Sequence, residues 1–245
     1  MSRLATRVLS VFVLLILSVS TAGAKEKADP YPLESNVPLP IDRGVTVRPV
    51  DCQVGNLNPP YYAIPGFILP PEEYKLVFDP NETCTACPDG VIITTVHVLL
   101  QTAELCTLVM AVDVEEAVYP NDPDCPEPGP ELCNSGLYSV TIPQAGLWNI
   151  GLPISCPCMG MDDLYLLSFH IEDVGPETYG TMPDLVTDNS PAACTSWNNY
   201  GNGWDDLYEV YGFPGQLSFY ADATCCEATG TEESSWGSIK KRYRK

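Results

Sequence analysis

Apolar and polar side chains alternate along several segments of the chain, which is the pattern of strands that bury one face. Within residues 91–101, one face carries Ile92, Val96, Val98 and Leu100, and the other carries Thr95, His97 and Gln101. Residues 105–114 place an apolar set on one face, namely Cys106, Leu108, Met110, Val112 and Val114. Only a short turn separates the two segments, so we predict that they pair as a hairpin.

Four further segments repeat this alternation. A second predicted hairpin turns at residues 143–146 and brings inward Tyr138, Val140, Ile142, Trp148, Ile150 and Leu152. Residues 164–173 point Tyr165, Leu167, Phe169 and Ile171 to the core, and residues 216–223 do the same with Leu217, Phe219, Ala221 and Ala223. No segment of helical length shows a 3.6-residue apolar period. The pattern therefore predicts an all-β fold, a single-domain β-sandwich of the jelly-roll type spanning residues 45–226.

The segments on either side of this domain differ from it in composition. Residues 1–24 have a basic start, an apolar run and the small-residue sequence Ala22-Gly23-Ala24, which predicts a cleaved signal peptide. Residues 25–44 form an extended, Pro-rich lead. Residues 227–245 form a polar linker and a tail with five basic residues. No later stretch approaches about 20 apolar residues, so we expect a secreted or cell-surface protein with no transmembrane segment in the mature chain.

All 11 cysteines lie downstream of the predicted signal, between Cys52 and Cys226. In an exported chain this distribution predicts disulfides rather than a zinc site or a redox pair built from the C-x-x-C at 84–87 and the C-x-C at 156–158. We predict that Cys125 pairs with Cys133 and that the adjacent Cys225 and Cys226 take different partners. The odd count leaves one thiol over, and Cys106 is the candidate.

The formal net charge is −20, and Lys75 is the single basic residue between Arg48 and Lys240. Such a charge repels nucleic acids and anionic lipids, so no nucleic-acid partner is expected. Either this charge helps the protein to bind divalent cations, or it serves only to keep the protein soluble.

The aromatic and amide-rich stretch 194–226 is the candidate binding surface. Turn residues at 199–203 predict a loop, and the flat aromatic side chains near it suit stacking on sugar rings, namely Trp197, Tyr200, Trp204, Tyr208 and Tyr211. The alternative is that these rings cap one end of the sandwich core.

The same stretch offers oxygen ligands of the kind that calcium prefers. The candidate metal ligands are Asn198, Asn202, Asp205, Asp206 and Glu209. A solvated acidic loop is the alternative, because the spacing matches no EF-hand. Ca²⁺ is therefore the one cofactor that the sequence suggests.

No catalytic signature is present. Ser168, His170 and Glu172 lie on one face of one predicted strand, about 6.6 Å apart, whereas a working triad takes its members from separate elements. Paired carboxylates could serve a polysaccharide hydrolase, but sequence does not give their separation.

Residues 125–227 carry motifs that resemble those of uncharacterised, cysteine-rich exported proteins predicted from environmental bacterial genomes. The motifs are GLWNI (146–150), CPC (156–158), PDLVTD (183–188), SWNNYG (196–201), GFPG (212–215) and CC (225–226). The tail SSWGSIK (234–240) is similar to short C-terminal segments on such proteins that look like sorting or attachment signals. The resemblance implies export, a β-sandwich and contact with export or attachment machinery through the tail, and it implies no activity.

The sequence thus predicts a secreted or cell-surface, non-enzymatic binding or structural module. The candidate ligands are a glycan or another cell-envelope component, and calcium. The alternative function is an extracellular polysaccharide hydrolase that uses paired carboxylates.

Overall fold

A computed structural model describes residues 30–35, 37–41, 50–176, 178, 181–201 and 203–227. The predicted signal peptide, most of the C-terminal tail and the candidate ligand Asn202 lie outside the described residues. Within the described part, no helix is long and apolar enough to cross a membrane.

The described residues form fifteen strands and two short helices, α1 (Pro80–Thr83) and α2 (Leu207–Tyr211). The strands are β1 (Tyr31–Pro32), β2 (Leu39–Pro40), β3 (Cys52–Gly55), β4 (Tyr62–Ile64), β5 (Glu72–Phe78), β6 (Val91–Thr102), β7 (Cys106–Val118), β8 (Glu127–Asn134), β9 (Tyr138–Ile142), β10 (Gly146–Pro153), β11 (Tyr165–Val174), β12 (Asp184–Thr187), β13 (Ser196–Asn199), β14 (Trp204–Asp206) and β15 (Phe219–Cys225).

The strands form two sheets that pack face to face. Sheet 1 has the order β1-β4-β12-β6-β10-β2, with β15 beside both β6 and β3. Sheet 2 has the order β14-β13-β5-β11-β7-β8, with β9 also beside β7. Pairing is antiparallel except between β2 and β10. The prediction of a disulfide-stapled, jelly-roll-like β-sandwich in one domain is confirmed.

Both predicted hairpins are wrong. β6 lies in sheet 1 and β7 in sheet 2, and β9 and β10 are divided in the same way. Each short connection therefore crosses between the sheets, and the pairs that form are β6 with β10 and β7 with β9. The alternation of apolar and polar residues shows which face of a strand is buried. Strands of both sheets in a sandwich bury one face, so this pattern does not show to which of the two sheets a strand belongs.

The predicted inward faces make up the core between the sheets. The alternating apolar residues of β7, β11 and β15 are buried, among them Leu108, Phe169 and Phe219. One position in β6 is wrong: Ile93 is in the core and Ile92 is not. The register of β6 against β15 shifts between Asp222 and Ala223, so a bulge reverses the order of faces at the start of β6.

The Pro-rich lead contributes two edge strands. β1 pairs with β4, and β2 pairs with β10, so the described part of the lead lies along sheet 1. Leu33 packs there on a small apolar cluster outside the main core, formed by Tyr61, Leu99, Leu147, Val186 and Tyr220. Two-residue strands suit this proline-containing segment, because proline donates no hydrogen bond to a neighbouring strand.

Five disulfides connect the fold: Cys52–Cys84, Cys87–Cys225, Cys125–Cys194, Cys133–Cys156 and Cys158–Cys226. The predicted Cys125–Cys133 pair is therefore wrong. Cys133 lies on β8 and Cys125 in the loop before that strand, so the two cysteines face different neighbours. The prediction that Cys225 and Cys226 have different partners is confirmed.

Cys106 is buried, and it is the cysteine that the five disulfides leave over, as predicted. We expect a thiol reagent to label no cysteine of the native protein and one per chain after unfolding, because burial shields the thiol. Absorbance titration with and without denaturant measures this, and Cys106→Ala is the matched control. Two or more reactive thiols per unfolded chain would contradict the disulfide set.

Candidate functional site

The outer face of sheet 2, which points away from the core, is polar along its central strands. Lys75 on β5 lies opposite Trp197 of β13 on one side and opposite Ser168 of β11 on the other. Ser168 in turn lies opposite Asp113 of β7. Alternation therefore brings side chains of four neighbouring strands together on one surface.

One end of this outer face is covered. Lys75 and Ser168 are fully buried, and Trp197 and Asp113 nearly so, although all four point away from the core between the sheets. The Cys125–Cys194 disulfide joins the loop of the β7–β8 hairpin to the segment just before β13. In a flat sheet β8 and β13 would lie about 19 Å apart, so this bond requires sheet 2 to curl around its polar face.

Lys75 is the centre of a charged group that we call the lysine cluster, formed by Glu73, Lys75, Asp113 and Glu115. The Nζ atom of Lys75 lies 2.7 Å from Glu73 Oε1 and 3.9 Å from Asp113 Oδ2, and it donates to Glu115 Oε1. It also lies 4.4 Å from the centre of the Trp204 ring, within the range of a cation–π contact.

The three carboxylates of the lysine cluster have ligand atoms within 4.8 Å of one another, a spacing that could hold a metal ion. The Lys75 ammonium occupies that position instead. Among the described residues, Asp113 Oδ2 and Glu115 Oε2 are buried without a hydrogen-bond partner. One ammonium therefore faces three carboxylates, two of which are incompletely hydrogen-bonded.

Burial shifts the protonation of both inner carboxyls. Burial raises the pKa of Glu115 to about 7, although the charge and hydrogen bond of Lys75 act in the opposite direction. Burial likewise raises the pKa of Asp113, and the charge of Lys75 opposes this shift too. Burial thus favours the protonated form of both carboxyls.

Next to the lysine cluster, the outer face forms a cavity of about 380 Å³, which we call the sheet 2 groove. Its polar lining comes from Glu72, Glu73, Asp113, Glu131, Asn134, His170, Glu172 and Asn199, and its remaining lining from Pro71, Ala111, Val112 and Gly201. His170 Nε2 lies 4.0 Å from Glu172 Oε2. The groove offers many hydrogen-bond acceptors, two amides and a small apolar floor.

The structure divides the five predicted ligand-binding aromatics. Trp197 and Trp204 lie on the polar side of sheet 2, with Trp204 over Lys75. Tyr200 and Tyr211 instead make a T-shaped contact with ring centres 5.9 Å apart, and Tyr211 contacts Phe67 of the core. Tyr208 is exposed on α2. Two rings thus border the buried lysine and two cap the sandwich; that they bind a ligand stays a prediction.

The described candidates for calcium ligation have structural contacts. Asp206 caps α2, where Oδ1 accepts from the Glu209 backbone at 2.9 Å, and α2 ends at Gly212 with a φ of 61°. Asn198 is buried and donates to the Glu73 carbonyl at 3.0 Å. Asp205 accepts from the Tyr211 hydroxyl at 2.7 Å. That these residues bind calcium stays a prediction.

Sheet 1 carries a second polar cluster on its outer face. His97 Nε2 lies 3.0 Å from Asp222 Oδ2, and His97 Nδ1 lies 3.1 Å from Asn149 Oδ1. The imidazole stacks on Tyr220 with ring centres 4.5 Å apart. Burial would raise the pKa of Asp222, but hydrogen bonds from His97 and Gln53 outweigh it and lower that pKa. These contacts give His97 a structural role.

Comparison with known protein families identifies the family of this chain. A family model described as a domain of unknown function (DUF7451) matches residues 51–223, more than half of the chain. The chain belongs to this family. The matched DUF7451 region runs from β3 into β15. It contains all of sheet 2, with the lysine cluster and the groove, and the strands of sheet 1 other than β1, β2 and the end of β15. No curated protein matches the sequence.

One similar solved structure is that of the cysteine protease and lectin-like domains of Cwp84, a surface layer associated protein of Clostridium difficile. The two chains are 12% identical with a TM-score of 0.46, and the match covers 72% of this chain and 36% of that one. The DUF7451 protein thus spans about a third of its neighbour's length. At this level of similarity the likeness carries no argument about activity.

Proposed function

We propose that the DUF7451 domain is an extracellular, non-enzymatic module that binds a saccharide in the sheet 2 groove. Five disulfides and the lack of a membrane-crossing helix among the described residues fit an extracellular protein. The observation that carries the proposal is the groove itself, a cavity of ligand size with convergent polar groups on a disulfide-held sheet.

The lining suits hydroxyl groups. Side chains such as Glu131 and Glu172 accept hydrogen bonds from sugar hydroxyls, and the amides of Asn134 and Asn199 both donate and accept. Pro71 and Ala111 supply apolar lining for the C–H face of a ring. Because strands rather than mobile loops supply most of these groups, little conformational entropy is lost on binding.

Charge narrows the ligand class. The protein has a net charge of −20, and the groove adds carboxylates on β5, β7, β8 and β11. Sulfated or uronate sugars would be repelled, whereas neutral and amino-bearing sugars would not. The ligand is therefore a neutral or amino-bearing oligosaccharide.

The alternative, hydrolysis by paired carboxylates, has one supporting feature. Glu115 combines a pKa of about 7 with carboxylate neighbours less than 4.8 Å away, as an acid catalyst requires. However, Lys75 Nζ occupies the space between these carboxyls and Trp204 covers it. A glycosidic oxygen has no room there, so binding is the better-supported function.

Titration calorimetry with neutral, amino-bearing and uronate oligosaccharides tests the proposal. We expect Asn134→Ala and Glu172→Gln each to weaken binding of the preferred sugar about tenfold, equal to about 1.4 kcal/mol, because each removes a contact in the groove. Glu104→Gln changes the same charge at an exposed position outside the groove and should leave the affinity unchanged.

Two results would contradict this function. One is a uronate ligand preferred over neutral and amino-bearing sugars. The other is equal loss of affinity in the Glu104→Gln control and the groove variants. Release of shorter sugars during incubation, followed by chromatography, would favour the hydrolase instead.

A further inference from the structure

The lysine cluster does not satisfy the hydrogen bonds of its own members. Lys75 is fully buried, yet its single ammonium faces three carboxylates. Asp113 Oδ2 and Glu115 Oε2 are buried and lack a hydrogen-bond partner among the described residues. Buried ions and unmet acceptors destabilise a fold, so an ion-pair network of this composition is a poor structural element.

A covalent bond between Lys75 and Glu115 would remove the buried ammonium and the incompletely hydrogen-bonded Glu115 carboxylate. We propose that Lys75 and Glu115 are joined by an isopeptide bond between Lys75 Nζ and the side-chain carbonyl carbon of Glu115. The bond turns a buried ammonium and a buried carboxyl into one neutral amide. It links β5 to β7 across the intervening β11, below the curled part of sheet 2.

The reaction balances with the groups present. Glu73, whose Oε1 lies 2.7 Å from Lys75 Nζ, accepts a proton from the ammonium. The neutral amine adds to the carbonyl carbon of un-ionised Glu115, and a second amine proton moves to the departing hydroxyl, which leaves as water. Glu73 is 29% exposed and releases its proton to solvent. No oxidant, reductant or other reactant takes part.

The state of Glu115 suits the acceptor role. Burial raises its pKa to about 7, so the un-ionised acid, which is the electrophilic form, is present at neutral pH. Lys75 Nζ already donates to Glu115 Oε1, so amine and carbonyl are neighbours in the folded chain. Holding two reacting groups in place can correspond to an effective concentration of about 10⁵ to 10⁸ M.

The surroundings exclude water from Lys75 Nζ, while Glu73 at the edge of the cluster stays partly exposed. The Trp204 ring lies 4.4 Å from Lys75 Nζ, and Ser168 beneath the cluster is fully buried. Ser168 also donates to Glu73 Oε1 at 3.2 Å, which holds that carboxylate in place as the proton acceptor. In a dry site the reactants have already lost their hydration, so the hydration that opposes amide formation in water is absent here.

Mass spectrometry of the purified, reduced and unfolded chain tests the proposal. We expect the mass to be lower than the sequence mass by one water, and proteolysis to yield a branched peptide that joins position 75 to position 115. The Lys75→Arg variant keeps the positive charge but has no primary amine to be acylated, so its mass should equal the sequence mass. Glu115→Gln should still form the bond and should lose ammonia instead of water.

The wild-type peptide map decides the outcome even if a variant fails to fold. Linear peptides that contain unmodified Lys75 and unmodified Glu115, from protein kept folded at neutral pH, would overturn the proposal and leave the cluster as an ion-pair network. A branch from Lys75 to Asp113 or to Glu73 would overturn the assignment of Glu115 as the acceptor. Neither outcome bears on sugar binding, which is measured separately.

Discussion

Replacing Lys75 with methionine is expected to lower the free energy of unfolding by about 3–5 kcal/mol at pH 8. Methionine matches the length of the lysine stem but carries no positive charge. Glu73, Asp113 and Glu115 then remain close together, with ligand atoms within 4.8 Å of one another and no counter-charge in the cluster. The loss arises whether Lys75 is an ammonium or an amide, because the variant has neither.

The effect should depend on pH with a definite sign. Burial already raises the pKa of Glu115 from its ordinary 4.5 to about 7, and Lys75 acts against that shift, so removing Lys75 raises the pKa further. A carboxyl whose pKa is higher in the folded state binds more protons when folded. The contribution of this carboxyl to the free energy of unfolding is therefore greatest below pH 4.5, and it falls as the pH rises through the folded-state pKa.

Urea unfolding of Lys75→Met at pH 5 and at pH 8 measures both effects. We expect roughly 2 kcal/mol of the loss to be regained at pH 5, after allowing for the partial exposure of the cluster. Lys75→Arg keeps the counter-charge and should show a smaller loss and a weaker pH dependence. A Lys75→Met protein as stable as wild type at pH 8 would show that the lysine does not compensate the carboxylates.

The sequence predicts the buried faces of the strands well, because alternation is a local property of the chain. Leu108, Phe169 and Phe219 are in the core for the reason that the pattern implies. The failure at Ile92 and Ile93 has a physical cause that alternation does not contain. One bulge opposite Asp222 and Ala223 shifts the register by a residue and exchanges the two faces.

Sheet assignment and disulfide pairing depend on contacts between distant parts of the chain. Cys125 is eight residues from Cys133 in sequence, which made their pairing attractive, but its partner is Cys194, 69 residues away. The curl of sheet 2 brings those two together. Nothing local to Cys125 indicates that curl, so its partner follows only from the packed fold.

The site was only partly visible in the sequence. The aromatic pattern predicts Trp197 and Trp204 as site residues, and both lie on the polar side of sheet 2. The same pattern does not indicate Glu73, Asp113 and Glu115. The usable signal was Lys75, a single basic residue within a long acidic stretch. A lone lysine within an acidic stretch suggests a charge placed for a specific partner, and the carboxylates of β7 are such partners.

Removing the Cys87–Cys225 disulfide, by Cys87→Ser with Cys225→Ser, should destabilise the protein by about 4 kcal/mol. This bond spans 138 residues and attaches β15 to the segment after α1. The Cys133–Cys156 and Cys158–Cys226 bonds remain and shorten the loop that the missing bond would close to roughly 50 residues, so the loss is smaller than the full span implies.

The matched control is Cys133→Ser with Cys156→Ser, which removes a bond that closes a loop of only 23 residues. Its expected loss is about 3 kcal/mol, because a short loop restricts the unfolded chain less. Both pairs are best made in a Cys106→Ala background, so that no thiol is left to exchange with the remaining disulfides. Urea unfolding without reductant gives the two free energies of unfolding. The two predictions differ only in the length of the loop that each bond closes. If the Cys133 and Cys156 variant lost as much stability as the Cys87 and Cys225 variant, or more, restriction of the unfolded chain would not explain the effect. Contacts around the bonds would then set the stability of this sandwich.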